Sequence, residues 1–446
     1  MLQQLRAHYY FELSRLFNKI PYFDENVEIS QYPDIPNNEF TRDEILSMLA
    51  KEMLDAAELL PASQSEVGRI HKYIALAYAA KIKLYQAYQQ DETTHAVTSI
   101  NKELLREVVS LCDQVTASNR YGLLDDFQGL DLVANENGKE SVFAIQYSMN
   151  DGTESAGRIN WSNLLNSPGG GSPYGGDGFF LPSQDLINAY QTDANGLPDF
   201  NYQSKSDYSW AVLNNGVYTL QNTTPNVDPR LDFVVGRPTI TWKTYPDKPC
   251  EGWVRDKETY GYNCAKRFWV SPESSDMFNG WPWGASQLNW QIIRYADILL
   301  WKAEALIELN EGDGLETARD LINQIRNRAR NSAYVKDFND HSKYAANYLV
   351  NPYPADVWNQ DYARQALRWE TRLEKALEGE RFFDLVRWGI VETTMNKYIT
   401  AESDNRIYYA NAHFTGGKDE YYPVPNNQYG FSGGKYVQNP GYAPFN

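Results

Sequence analysis

Apolar positions set the rhythm of this chain from its first residues. Leu2, Leu5, Tyr9, Leu13 and Leu16 recur at helical spacing, so the opening segment has one apolar face and Met1 already stands inside an amphipathic helix. A fold that begins in mid-helix implies sequence upstream of it. Pro21, in "NKIPYFDE", stops the run. "TRDEILSMLAKEMLDAAELL" predicts the next helix, with Thr41 and Glu44 in capping-box spacing and Pro61 at its end. "GRIHKYIALAYAAKIKLYQAYQQ" and "INKELLREVVSLCDQVTAS" follow as a pair across a short loop. Ala75, Ala77, Ala79 and Ala80 permit close approach, so these antiparallel pairs read as helical-hairpin repeats. No strict ~34-residue period runs through them, so any tetratricopeptide-like repeat is degenerate.

The texture changes between residues 121 and 289. "SVFAIQYS" reads as a short strand, whereas "NSPGGGSPYGGDGFF" is too rich in glycine for helix or strand. Helical spacing then returns. "IIRYADILLWKAEALIELN" is apolar around most of its circumference, which predicts a buried helix. "ETARDLINQIRNRAR" sets Ala318, Leu321, Ile322, Ile325 and Ala329 on one stripe and leaves Arg319, Arg326 and Arg330 outward. "DYARQALRWETRLEKALEGERFFDLVRWG" supplies one or two more helices with Tyr362, Ala366, Trp369 and Leu373 inward. The expected fold is mainly α: residues 1–446 form one domain, with a tetratricopeptide-like scaffold over 1–120 and 290–400. A loop-rich face with short strands spans 121–289, and 401–446 is an extended tail rich in Pro, Gly and Tyr.

Composition narrows the function. Apolar residues at 42% suffice for a sizeable core. The formal charge of −17 argues against nucleic acid and against docking on an anionic bilayer. No stretch approaches ~20 consecutive apolar residues, the length a membrane-spanning helix needs. Aromatics are 14% of the chain, with 32 Tyr and 12 Trp; such rings are enriched where binding surfaces meet water. Cys112 sits in a helical run and reads as a small buried hydrophobe. Cys250 and Cys264 flank "CEGWVRDKETYGYNC", which leaves open both a bridge between them and two free thiols.

Catalytic signatures are missing: there is no HExxH, GxSxG, GxxxxGK[ST] or CxxC. His8, His71, His95, His341 and His413 are scattered, so the sequence points to no metal and no cofactor. "EGERFFDLVRWG" is the densest segment. Arg381 and Arg387 bracket Asp384, and Glu380 precedes them among Phe382, Phe383 and Trp388. Forked guanidinium groups clamp carboxylates and carbonyls well, so Glu380, Arg381, Asp384 and Arg387 are expected to lock helices together.

"EKALEGERFFDLVRWG" also resembles the C-terminal signature of the SusD/RagB family, surface glycan-binding lipoproteins of Bacteroidetes. "LRAHYYFELSRLFNKIPY", "GFFLPSQDLINAYQTDANGLPDF", "DPRLDF", "IIRYADILLWKAEAL", "ARDLINQIRNRA" and "YYPVPNNQY…GGKYVQNPGY" are similar to further family segments, in the family's order. The resemblance implies four tetratricopeptide-like hairpins, no catalysis, and capture of oligosaccharide at the outer membrane for a SusC-type TonB-dependent transporter. It also implies a lipid anchor and a first helical stretch that this chain does not contain.

The family signatures are scaffold, so binding residues must come from this chain's own pattern. Trp281 and Trp283 flank Pro282 in a Gly-bounded turn; Trp253, Tyr260 and Tyr262 lie on the loop between the two cysteines. These rings are the candidates for stacking on sugar, with Arg255, Asp256 and Asn279 as hydrogen-bonding partners. Other readings stay open: a helical-repeat adaptor that binds only protein, a SusD-like protein that takes peptide or glycopeptide, and a glycoside-active enzyme.

Overall fold

The computed structural model describes residues 2–445 apart from 154–156, 168, 170, 210, 215–216, 221–224, 245–251, 257–258, 260, 262 and 282, and side chains are described outside 211–220. Four helices open the chain: α1 (Leu2–Phe17), α2 (Arg42–Leu59), α3 (Lys72–Ala87) and α4 (Lys102–Ala117). The capping box at the start of α2 forms as its spacing predicts, with Glu44 N donating to Thr41 Oγ1 at 3.3 Å and Thr41 N to Glu44 Oε2 at 2.8 Å. Asn101 caps α4 through Glu103 N and Leu104 N. The alanines of α3 are fully buried, and it packs between α2 and α4. Small side chains there let backbones approach, which is how stacked helical hairpins bury a continuous core.

A strand pair, β1 (Tyr88–Gln90) with β2 (Val97–Ile100), links α3 to α4. The loop-rich region follows, holding β3 (Ser141–Ile145), α5 (Gln184–Ala189), the hairpin β4 (Ala211–Asn214) and β5 (Val217–Leu220), α6 (Arg230–Val234), β6 (Val235–Gly236) and β7 (Cys264–Ala265). β8 (Trp290–Arg294) pairs antiparallel with β3, tying the end of this region to its beginning. The expected helix at "IIRYADILL" therefore starts later. Residues up to Arg294 are taken up by the β3 ladder, and α7 (Tyr295–Leu309) begins after it. α7 packs on α4, α8 (Gly314–Asn331) on α7, and α9 (Gln360–Glu374) on α7 and α8. The stack of the first four helices thus continues directly into the later ones, and β3 of the intervening chain packs against α3.

α10 (Arg381–Arg387), α11 (Val391–Ser403) and α12 (Asn426–Phe431) complete the chain. The tail lies across the end of α1: Tyr422 N donates to Leu16 O at 2.8 Å and Asn439 Nδ2 to Phe17 O at 2.8 Å. Cys112 is fully buried, and burial pushes its thiol up to about 12. It is a packing residue, as its helical setting predicts.

The charged segment "EGERFFDLVRWG" is a clamp. Arg387 Nη2 holds Asp384 at 2.9 Å and Glu304 of α7 at 3.1 Å, while Tyr88 Oη and Trp388 Nε1 donate to the same Glu304 at 2.6 and 2.8 Å. Glu380 accepts from Arg15 of α1 at 2.7 Å and from Lys81 of α3 at 3.3 Å. Burial alone would push the Glu380 carboxyl up; the charges of Arg15 and Lys81 outweigh it and hold the group well below the usual range. Arg381 differs from its expected partnership. It donates to the Arg368 carbonyl at 3.2 Å, and Asp384 is claimed by Arg387 instead.

A larger buried network joins scaffold to loops. Arg294 contacts Glu140 at 2.7 Å, Glu374 at 3.1 Å and Glu378 at 2.7 Å. Arg230 contacts Asp228, Glu370 and Glu374 at 2.7, 2.6 and 3.2 Å. Arg328 holds Glu140 and Glu374, and Arg267 holds Asp131 and Glu378. Arg326 corrects the outward placement that periodicity assigned to it. It is fully buried, pairs with Glu370 at 3.0 Å and donates to the Asn351 and Gly196 carbonyls at 2.7 and 2.8 Å. Surface position on α8 in isolation is interior once α9 and the loop at Gly196 close over it.

Candidate functional site

Three irregular segments of the loop-rich region meet one another. The first is a hairpin from Asp276 to Gln287. Met277 bridges Ser286 antiparallel, and Phe278 N donates to Ala285 O at 2.8 Å. Its tip is "NGWPWG", where Gly280 and Gly284 have positive φ. The second is the glycine-rich loop, in which Gly178 N donates to Ser167 O at 2.8 Å and Phe179 N to Leu165 O at 3.2 Å. The third is the turn at Asn160, whose N donates to Ser286 O at 2.8 Å.

Each segment carries an exposed ring. Trp281 is 70% exposed, Trp283 54%, Phe179 72% and Trp161 46%. Large rings left this open on hydrogen-bonded loops form a surface that the core does not require. Trp161 and Phe179 were missed in the sequence. Their signal was the setting they share with Trp281: aromatic residues in a Gly- and Asn-rich stretch with no helical or strand period to bury them.

The hairpin tip is held by the absence of side chains beneath it. Gly284 has φ +77°, and a Cβ there would lie 2.6 Å from Tyr174 O. Gly176 has φ +89°, and a Cβ on it would lie 2.3 Å from Ser167 O. Gly284→Ala is expected to destabilise the tip by more than about 1 kcal/mol, since alanine fits neither the backbone nor the gap. Hydrogen exchange across 276–287 checks this: those amides exchange faster while helix amides keep their protection.

The other candidates separate. Trp253 is corrected from ligand to support. It is 1% exposed, packed edge-on against Trp242 at 4.8 Å between ring centroids and against Tyr174 at 6.2 Å. Trp269 joins the same cluster, and Trp242 Nε1 donates to Tyr174 Oη at 2.9 Å. These rings form a pedestal under the glycine loop and the hairpin tip. Arg255 is exposed at the rim, donating to Gly176 O at 3.1 Å and pairing with Asp177 at 3.1 Å, so it braces the glycine loop. Asp256 and Asn279 are exposed, and Asp256 accepts from Thr259 N at 3.1 Å. Tyr260, Tyr262 and Cys250 lie outside the described residues; Cys264 is buried with a free thiol.

Behind the hairpin lies an open cleft of about 830 Å³, walled on one side by residues 124–139 and on the other by 270–276. Near it, Glu136 accepts from Asn289 N at 2.5 Å; burial, together with the charge of Asp276, pushes its carboxyl up to about 7. Among the described residues, no group of three or more His, Cys, Asp or Glu is placed to hold a metal ion, and no helix is long and apolar enough to cross a membrane.

Comparison with known proteins bears on this architecture. A model of the SusD family matches residues 139–442. SusD-like protein P2 of Formosa agariphila is 24% identical over 443 residues, covering 98% of this chain and 72% of its own length. Among solved structures, a SusD homolog from Bacteroides thetaiotaomicron superposes with a TM-score of 0.71 at 17% identity, over 99% of this chain and 78% of that one. A laminarin-binding SusD-like protein superposes with a TM-score of 0.57 at 20% identity, over 99% and 77%. At these identities the likeness is one of fold.

Proposed function

Since the chain belongs to the SusD family, we propose that it is a non-catalytic binder of oligosaccharide or polysaccharide at the cell surface. Its cargo would pass to a SusC-type TonB-dependent transporter in the outer membrane. The observation that carries this reading is the set of exposed rings on adjoining loops, Trp161, Phe179, Trp281 and Trp283, backed by the buried Tyr174–Trp242–Trp253–Trp269 pedestal. Flat sugar faces present C–H groups that pack on aromatic rings, and a rigid support lowers the entropic cost of ordering them. The scaffold helices contribute no chemistry in this reading; they hold the loops in place. A laminarin-binding relative of the same fold is consistent with it.

Affinity electrophoresis across a panel of neutral and acidic polysaccharides tests the proposal. Retardation by at least one glycan, with no product formed from it, is the expected result. A protein that migrates unchanged through every gel, or that cleaves a glycan, overturns it. Co-purification with a SusC-type transporter from outer membranes tests delivery separately.

A further inference from the structure

We propose that the cleft behind the tryptophan hairpin is a second carbohydrate subsite, taking neutral sugar units of a chain whose neighbouring units lie on the exposed rings. The proposal rests on the glycan-binding reading above and extends it from a surface to a path. The hairpin joins the two places physically: Asp276, at its start, lines the cleft, and Trp281 and Trp283 stand at its tip. At ~3.3 Å per extended residue, Asp276 and Trp281 are separated by at most roughly 17 Å. A ligand spanning both is an oligosaccharide, and a monosaccharide reaches one only.

The lining states the chemistry. Leu132, Val133, Phe233 and Val270 provide apolar floor, while Thr244, Ser271, Glu273 and Asp276 provide hydroxyls and carboxylates. Glu273 is exposed on the cleft lining. Asp276 accepts from Gln287 at 2.7 Å and Ser274 at 3.1 Å, which leaves acceptor capacity, since a carboxylate offers about four lone-pair directions. Every lysine on the lining is already engaged. Lys139 holds Asp125 at 2.8 Å, Lys243 holds Asp131 at 3.0 Å, and Lys266 donates to the Asp232 and Thr241 carbonyls. The open groups therefore accept hydrogen bonds from sugar hydroxyls and repel carboxylate or sulfate, whose approach would set like charges side by side.

Size-fractionated oligosaccharides of laminarin, xylan, galactomannan and alginate, from disaccharide to octasaccharide, are titrated calorimetrically into the protein, Glu273→Lys and Ser271→Trp. Both variants are first checked for an unchanged thermal midpoint. For one neutral series, affinity is expected to climb by about tenfold or more with length. The climb should be blunted in both variants while the shortest bound oligosaccharide is unaffected. Affinity that is independent of length, or a climb that survives both substitutions, overturns the cleft subsite and leaves the ring surface standing. Alginate climbing as steeply as the neutral series overturns the neutral-sugar assignment. Failure of the unsubstituted protein to bind any series overturns the glycan reading and this subsite with it.

Discussion

Replacing Trp281 and Trp283 together by alanine is expected to remove glycan binding while leaving the fold intact. Stacking on an aromatic ring is worth about 1–3 kcal/mol per ring where single strands stack on proteins, so two rings amount to roughly 2–6 kcal/mol. That is a loss of about thirtyfold at the least and more than a thousandfold at the upper end. The substitutions cost little stability because both rings are mostly in solvent: Trp281 is 70% exposed and Trp283 54%. Trp253→Ala makes the contrast. That ring is buried against Trp242 and Tyr174, and truncating a buried tryptophan costs about 3–5 kcal/mol. Affinity should fall there too, but with a lowered thermal midpoint. Calorimetry and thermal melts on the three proteins separate the cases. Unchanged affinity in the double variant would remove the ring surface from consideration.

What could be read from the sequence was whatever is decided locally. The Thr41–Glu44 capping box, the alanine face of α3 and the burial of Cys112 depend on residues within a turn or two of one another. They appear in the structure as the spacing predicts. Arg326 and Trp253 went wrong for the same reason as each other. Each lies where local pattern predicts exposure, and each is enclosed by chain far away in sequence: Arg326 by Glu370 and the Gly196 carbonyl, Trp253 by Tyr174 and Trp242. The charge pairing inside "EGERFFDLVRWG" was half legible. Helical spacing allowed both Arg381 and Arg387 to reach Asp384, and only the position of Glu304 on α7 shows why Arg387 takes it. The glycine loop was legible as irregular backbone; that it packs under the tip at Gly284 was not, since that depends on contact across more than a hundred residues.

The buried ion network makes the second strong claim, because it joins the ring-bearing region to the helices that support it. Arg294 ends β8 and faces Glu140 beside β3, Glu374 of α9 and Glu378 beyond it. Arg294→Met keeps volume and removes the charge, which leaves Glu140, Glu374 and Glu378 each one buried partner short, with Arg328, Arg230, Arg267 and Lys375 still beside them. Removing one partner of a buried pair costs about 3–5 kcal/mol, far more than the pair adds over an apolar replacement of the whole set. Urea unfolding at pH 7 should show that loss. The pH dependence carries the mechanism. Burial alone would push the Glu374 and Glu378 carboxyls up, but the surrounding cations, Arg294 among them, hold both below the ordinary range. Groups depressed in the folded state stabilise it above their unfolded pKa, about 4.5, and lose that contribution as pH falls below it. The wild-type protein should therefore weaken on acidification. The variant has less depression to lose, so the gap between the two should narrow from pH 7 to pH 4. A variant less than about 1 kcal/mol weaker at pH 7, with a gap that does not change with pH, would mean that the arginine is not what joins these elements.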